Sequence, residues 1–404
     1  MRSKLNKELK VQECDANEDS HSCKSPAQKK YFKTINSIIM KYVSEFRSPE
    51  IVEALLKEIK QTVKGNWNIM EVCGGQTHSL VKNGLLNMLP SNIQMIHGPG
   101  CPVCVTPVSL IDKAVHLAME CNVILCSYGD MIRVPGSGMS LLEAKARGAD
   151  VRILYSPLEA VKIAKENPDR EVVFFAVGFE TTAPANALSV IHAKREGVKN
   201  YSILASHVLV PPAIEEVMND ELSRVDGFLG AGHVCAIMGI YEYYPLVEKY
   251  KVPIVITGFE PVDLLEGILM VVKQLEKKEK KLENQYARIV QEEGNLPAQK
   301  IIYEVFEVTD RLWRGMEVIP MSGYKVKAAY ADYDAEKKFN VNIEEAPENP
   351  ECIAGEIMKG IKKPFECQHF GKKCKPVSPL GAPMVSNEGA CAAYYHYSGV
   401  ALEV

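Results

Sequence analysis

The chain has 404 residues, a formal net charge of -4, 47% hydrophobic residues and 24% charged residues. That length predicts two or three domains with cores of their own, and the composition is ordinary for a globular protein. No arginine-rich or aromatic-interleaved basic face is present, which argues against a nucleic-acid partner. No apolar run approaches the roughly 18 residues that would cross a membrane.

Residues 1–30 read as a polar, flexible extension without the apolar core of a signal peptide. Cys14 and Cys23 fall inside it and read as bystander thiols. Twelve cysteines in so long a chain do not resemble a secreted disulfide scaffold. They predict a reducing compartment, hence the cytoplasm, and metal or redox work.

Ser48 as N-cap and Pro49 at the first helical position open a helix, with Ile51, Leu55, Leu56, Ile59 and Val63 on one face and Gly65 ending it. An apolar strand over Trp67–Val72 runs into Cys73-Gly74-Gly75. A second, Ile93–Ile96, runs into HGPGCPVC, after which Thr106 and Pro107 start a helix. The alternation continues: Asn122–Cys126 leads into SYGDMIRVPGSG, and Val151–Tyr155 into a helix near Pro157. Glu171–Val177 leads into GFETTAP, Tyr201–Ala205 into SHVLVPP, and Pro253–Thr257 into GFEP. Continuous apolar strands separated by helices indicate parallel sheets covered on both faces. The predicted fold is therefore α/β: two parallel-sheet domains over 31–145 and 146–262, then a third region over 263–404. That region begins with a long helix over 262–293 and ends in an irregular, cysteine-bearing module.

The polar, Gly- and Pro-rich motifs all follow strands, which places them on the carboxyl edges of open sheets, where ligands bind. Two such edges facing each other predict a cleft holding Cys73, Gln76, His78, His97, Cys101, Cys104, Glu180, Thr181, Thr182, His207 and His233. The Gly-Gly pair after Cys73 predicts an exposed sulfur. Cys101 and Cys104 form a CxxC before a helix start, which suits a redox couple or a soft-metal site. Glu180 with its two threonines reads equally as a helix start or a ligand contact. His207 and His233 are loop histidines, more often structural than ligating. Cys121, Cys126 and Cys235 read as packing residues. Phosphate-loop, dinucleotide, HExxH and serine-elbow motifs are all missing.

Cys352, Cys367, Cys374 and Cys391 lie in a stretch too rich in Gly, Pro and Lys to bury a core. Four thiolates at one inorganic centre would hold it, as an iron–sulfur cluster or a structural zinc, and their spacing does not separate the two.

EVCGGQTH, HGPGCPVC, VGFETTAP, SHVLVPPA, GAGHV, ITGFEPVDLL and the terminal CIAGEIMKG…PFEC…C…PLGAPMVSNEGAC together resemble the HypD family, hydrogenase maturation factors that help assemble the iron centre of [NiFe] hydrogenases. The matching stretches span about residues 65 to 391. The resemblance implies a [4Fe-4S] cluster on Cys352, Cys367, Cys374 and Cys391, and a transient Fe(CN)2CO group on Cys73. It also implies an inter-domain thiol pair at Cys101 and Cys104, a small HypC-type chaperone and a HypE-type cyanide donor. Gln76 stands where the family can carry histidine; His78 is retained. Cyanide ligands would suit hydrogen-bonding groups around the iron, and Gln76, His78, Glu180, His207 and His233 are the residues expected to surround it. The sequence leaves open whether such a scaffold and redox participant is an enzyme. The alternative reading is a thiol–disulfide oxidoreductase or sulfur carrier with a structural metal in its tail.

Overall fold

Strand β1 (Trp67–Glu71) pairs in parallel with β2 (Ile93–His97), which comes next in the chain. Its other neighbour is β7 (Gly227–Ala231), which arrives more than 120 residues later. A computed structural model describes residues 45–343 and 345–399 of the chain. The expected extension, with Cys14 and Cys23, lies outside the described residues. A compact unit begins at Pro49.

Among the described residues the strands form two parallel sheets, as the alternating pattern predicts for an α/β chain, and one antiparallel hairpin that it does not predict. The first sheet has the order β2-β1-β7-β8-β9, with β8 at Ile254–Thr257 and β9 at Leu282–Asn284. The second has the order β4-β3-β5-β6, with β3 at Ile124–Ser127, β4 at Val151–Ile153, β5 at Val172–Gly178 and β6 at Tyr201–His207. Strands β3, β5, β6, β7 and β8 are buried along their whole length. Strands covered on both faces read as continuous apolar runs, which is why most of them are visible in the sequence.

Sheet membership does not follow the linear division at residue 145. The first sheet takes its outer pair from the start of the chain and the rest from beyond residue 226, whereas β3 through β6 are consecutive. The expected helix over 262–293 is shorter: it runs Pro261–Glu276. Lys278 then adopts φ +57°, and the chain turns back so that β9 completes the exposed edge of β8. The Lys/Glu-rich segment has no apolar face to keep it helical, and an unpaired strand edge recruits it. Hairpin β10 (Phe306–Leu312) and β11 (Val318–Val326) then adds an antiparallel pair that packs on β6. After it come short helices and turns, closed by the helix Ala390–Tyr397.

Candidate metal centre

Cys73 follows β1 and occupies the N-cap of the helix Gly74–Lys82. Its backbone N–H donates to Glu71 Oε2 at 2.9 Å, and its sulfur stands 3.6 Å from His233 Nδ1. His233 in turn packs on Phe259, with ring centroids 5.1 Å apart. These residues cover the thiol, which is only 3% exposed. The expectation of an exposed sulfur is therefore corrected: the two glycines free the backbone, but side chains from distant segments close over Cys73. Burial pushes the thiol well above its usual range, and the nearby Glu388 and Glu71 charges add to the shift. Burial also pushes His233 down to about 4. At neutral pH the pair is a neutral thiol beside a neutral imidazole, not a thiolate–imidazolium couple. A cation at this sulfur would have to displace a proton.

The CxxC is directly attached to this loop, since the Gly74 N–H donates to Gly100 O at 2.8 Å. Cys101 and Cys104 are joined by a disulfide and are both buried. Cys101 caps the short helix Pro102–Val105, which contains Cys104, and a separate helix, Val108–Glu120, follows Pro107.

The other expected cleft residues divide into groups. Gln76 Nε2 donates to Gly230 O at 3.1 Å and to Thr257 Oγ1 at 2.7 Å, so it bridges the ends of β7 and β8. His78 lies near the surface with its Nδ1 3.2 Å from Asn387 O. Glu180 is buried and accepts from the Val210 N–H at 3.0 Å. Burial pushes its carboxyl up to about 8. Thr182 is the N-cap of the helix Ala183–Arg195, its hydroxyl donating back to Phe179 O. His207 is fully buried, hydrogen-bonded to Asn186 at 2.8 Å and packed on Phe306 and Tyr324. Its surroundings belong to the core of the second sheet. Cys73, Cys101, Cys104 and Cys235 share one apolar cluster with Phe179 and Val208. The two carboxyl edges thus meet in a packed interior. Cys126 is buried as a packing residue, and Cys121 packs partly buried against the same layer as Leu125.

Cys352, Cys367, Cys374 and Cys391 line a single small cavity with Ala354, Ile357, Phe370, Leu380 and Met384. Among the described residues no three His, Cys, Asp or Glu side chains converge tightly enough to hold a metal ion. The four sulfurs surround a space rather than a point, whereas one tetrahedral zinc needs four sulfurs about 2.3 Å from a common centre. Backbone donors face the sulfurs, with Leu380 N–H donating to Cys374 Sγ at 3.4 Å. A Cβ on Gly381 would come within 2.2 Å of the Cys352 sulfur. Burial first, and then the other three cysteines, push the Cys391 thiol far up. Four cysteines crowded in an apolar cradle with N–H donors fit a polynuclear iron–sulfur group, whose irons their sulfurs would hold.

Two links that no motif signals join this cradle to Cys73. The helix Ala390–Tyr397, which carries Cys391, packs against the helix that Cys73 caps. A buried hydrogen-bond chain also runs between them. Glu71, which holds the Cys73 N–H, accepts from the Thr77 hydroxyl and bonds His97 Nδ1 at 2.8 Å. His97 Nε2 meets the Tyr394 hydroxyl at 3.1 Å. His97 is predicted at the cleft as a strand-end residue; Glu71 and Tyr394 carry no sequence signal beyond their place in apolar runs.

Residues 50–398 match the family model described as "HypD: Hydrogenase formation hypA family". The chain belongs to the HypD family. It is 47% identical over 368 residues to the hydrogenase maturation factor HypD2 of Bradyrhizobium diazoefficiens, covering 89% of this chain and 97% of that one. It is 47% identical to HypD of Rhodobacter capsulatus over 375 residues, with 89% and 99% covered. For HypD of Escherichia coli the values are 44% over 366 residues, with 89% and 98% covered. As a HypD-family hydrogenase maturation factor the chain carries both the Cys73 loop and the terminal cysteine quartet within the matched span.

Proposed function

We propose that this chain, with a HypC-type partner, forms the scaffold on which the Fe(CN)2CO group of a [NiFe] hydrogenase is assembled, in the cytoplasm and with cyanide from a HypE-type donor. The observation that carries the reading is the packing of a four-cysteine cradle directly against the helix that Cys73 caps. In this reading Cys352, Cys367, Cys374 and Cys391 hold a [4Fe-4S] cluster, which would supply single electrons. Cys73 presents its sulfur to the iron of the cargo, a low-spin, soft centre that favours thiolate. Iron binding has to displace the Cys73 proton, with His233 Nδ1 standing 3.6 Å from the sulfur. Glu71 and Thr77 fix the start of the Cys73 helix, so the sulfur is held by a rigid element. Because Cys73 is covered, loading has to part His233 and Phe259 from it. A partner inserting its own cysteine would do this, and the apolar surroundings would then keep water from the iron.

Anaerobic purification is expected to give brown protein with about four iron per chain, and copurified HypC-type protein should add infrared bands of bound CO and cyanide. Cys73→Ala is expected to keep the four iron and lose those bands. Colourless protein with one zinc would end the cluster reading; unchanged infrared bands in the variant would end the role of Cys73.

The disulfide at Cys101–Cys104 favours a second reading, a thiol–disulfide oxidoreductase or sulfur carrier. It predicts dithiol turnover that survives removal of iron and fails in Cys101→Ser.

A further inference from the structure

The turn between β10 and β11 joins the two sulfur sites by a route separate from Cys73. Trp313 anchors it: the ring is fully buried, and its Nε1 donates to Ser322 Oγ at 2.9 Å. The next residue, Arg314, donates its backbone N–H to Val105 O at 2.8 Å, the last residue of the helix bearing Cys104. Its guanidinium is 4% exposed and donates to Glu348 Oε2 and to Pro135 O, each at 3.1 Å. Gly315 follows with φ +71° and lies backbone to backbone against Gly355, where an added Cβ would meet Gly315 O at 2.3 Å. Gly355 stands three residues after Cys352, in the short helix Ala354–Met358. One tight turn therefore touches the disulfide helix on one side and the cluster loop on the other, with a buried cation at its centre.

The Glu348 carboxylate offsets this charge only in part at the cradle. Glu348 is 42% exposed and screened by water, whereas Arg314 is enclosed.

We infer that Arg314 tunes the terminal centre: its enclosed positive charge favours the reduced, more negative cluster and so raises the reduction potential. This role rests on the cluster reading given above. Net charge and local electrostatics near the sulfurs are general determinants of such potentials. The mechanism needs no covalent step and no proton movement, only a fixed charge held by the turn.

The test is a redox titration of the iron-loaded full chain, followed by the electron paramagnetic resonance of the reduced cluster, in Arg314→Gln, Arg314→Lys and Glu348→Gln. At the wild-type midpoint, Arg314→Gln is expected to lower the reduced fraction several-fold. Arg314→Lys, which keeps the charge but loses the fork geometry, should stay close to wild type, and Glu348→Gln should raise the reduced fraction. Equal shifts in the Gln and Lys variants would assign the effect to packing and overturn the inference. So would potentials that ignore all three changes. If Arg314→Gln fails to fold, Glu348→Gln still decides, because it leaves the arginine in place and only removes its counter-charge. Wild-type protein without iron would overturn the cluster reading along with this one, whereas iron-loaded protein indifferent to the variants overturns the role of Arg314 alone.

Discussion

Glu180 shows what burial does to a single side chain whose neighbourhood offers little compensation. One carboxyl oxygen accepts the Val210 N–H, and the other has no partner among the described residues. The acid is therefore held neutral, with its pKa pushed up to about 8 by burial. Unfolded, a glutamate loses its proton near pH 4.3. Between those two values the folded state binds a proton that the unfolded state has lost, so stability falls as pH rises. His207, pushed down to about 3, and His233, pushed down to about 4, act in the opposite sense. Their stabilisation is lost as pH falls below the ordinary histidine value of about 6.5. The opposing slopes overlap in acid, which leaves the window from pH 6.5 to 8 to Glu180. Thermal unfolding of anaerobic protein is expected to show falling stability there, and Glu180→Gln should flatten it. A slope shared by wild type and variant would mean that Glu180 is ionised. The sequence reveals Glu180 and Cys73 as strand-end residues, because the motifs after the strands are polar and glycine-rich. It does not reveal their burial, because the groups covering Cys73, His233 and Phe259, lie some 160 residues or more along the chain.

At the level of elements, the helix Ala390–Tyr397 fastens the cysteine module to the first sheet. Tyr394 is the fastening point, closing the hydrogen-bond chain through His97 to Glu71. Tyr394→Phe removes one hydroxyl and leaves a buried imidazole nitrogen unpaired, at a cost of about 1–3 kcal/mol. The denaturation midpoint should fall accordingly while iron content is retained. A variant as stable as wild type would show that the chain of bonds contributes nothing net. Elements with strong periodicity are legible: β1, β2, β5, β6 and β8 lie where alternating apolar runs and turn residues put them. Two classes are not. Strand β7 is the five-residue stretch GFLGA, with two glycines and no β-branched residue, so nothing local marks it as the centre of a sheet. Strand β9 hides inside a charged segment whose composition favours helix, and pairing with β8 overrides that preference.

Over the whole molecule, the first sheet is assembled from the start and the middle of the compact unit. Its central strand β7 hydrogen-bonds both β1 and β8, so removing it separates the early strands from the late ones. A fragment ending at Glu221 would keep β1 and β2 but leave β1 with an open, apolar edge. Such a fragment is expected to aggregate or to be cleaved rapidly between Trp67 and Glu120, with the stretch from Ile124 to His207 better protected. Uniform protease resistance along the fragment would contradict this division. The division itself is hard to see from residue patterns, because periodicity reports strand type and not strand partner. Strands β3 to β6 emerge consecutively during translation and can pair as soon as His207 has left the ribosome. The pocket around Cys73 must wait for Ala231, His233 and Phe259, so on a nascent chain that thiol stays uncovered while the neighbouring sheet is already complete. Protection of the sulfur thus follows completion of the neighbouring sheet, which gives delivery factors an interval during synthesis in which to reach it.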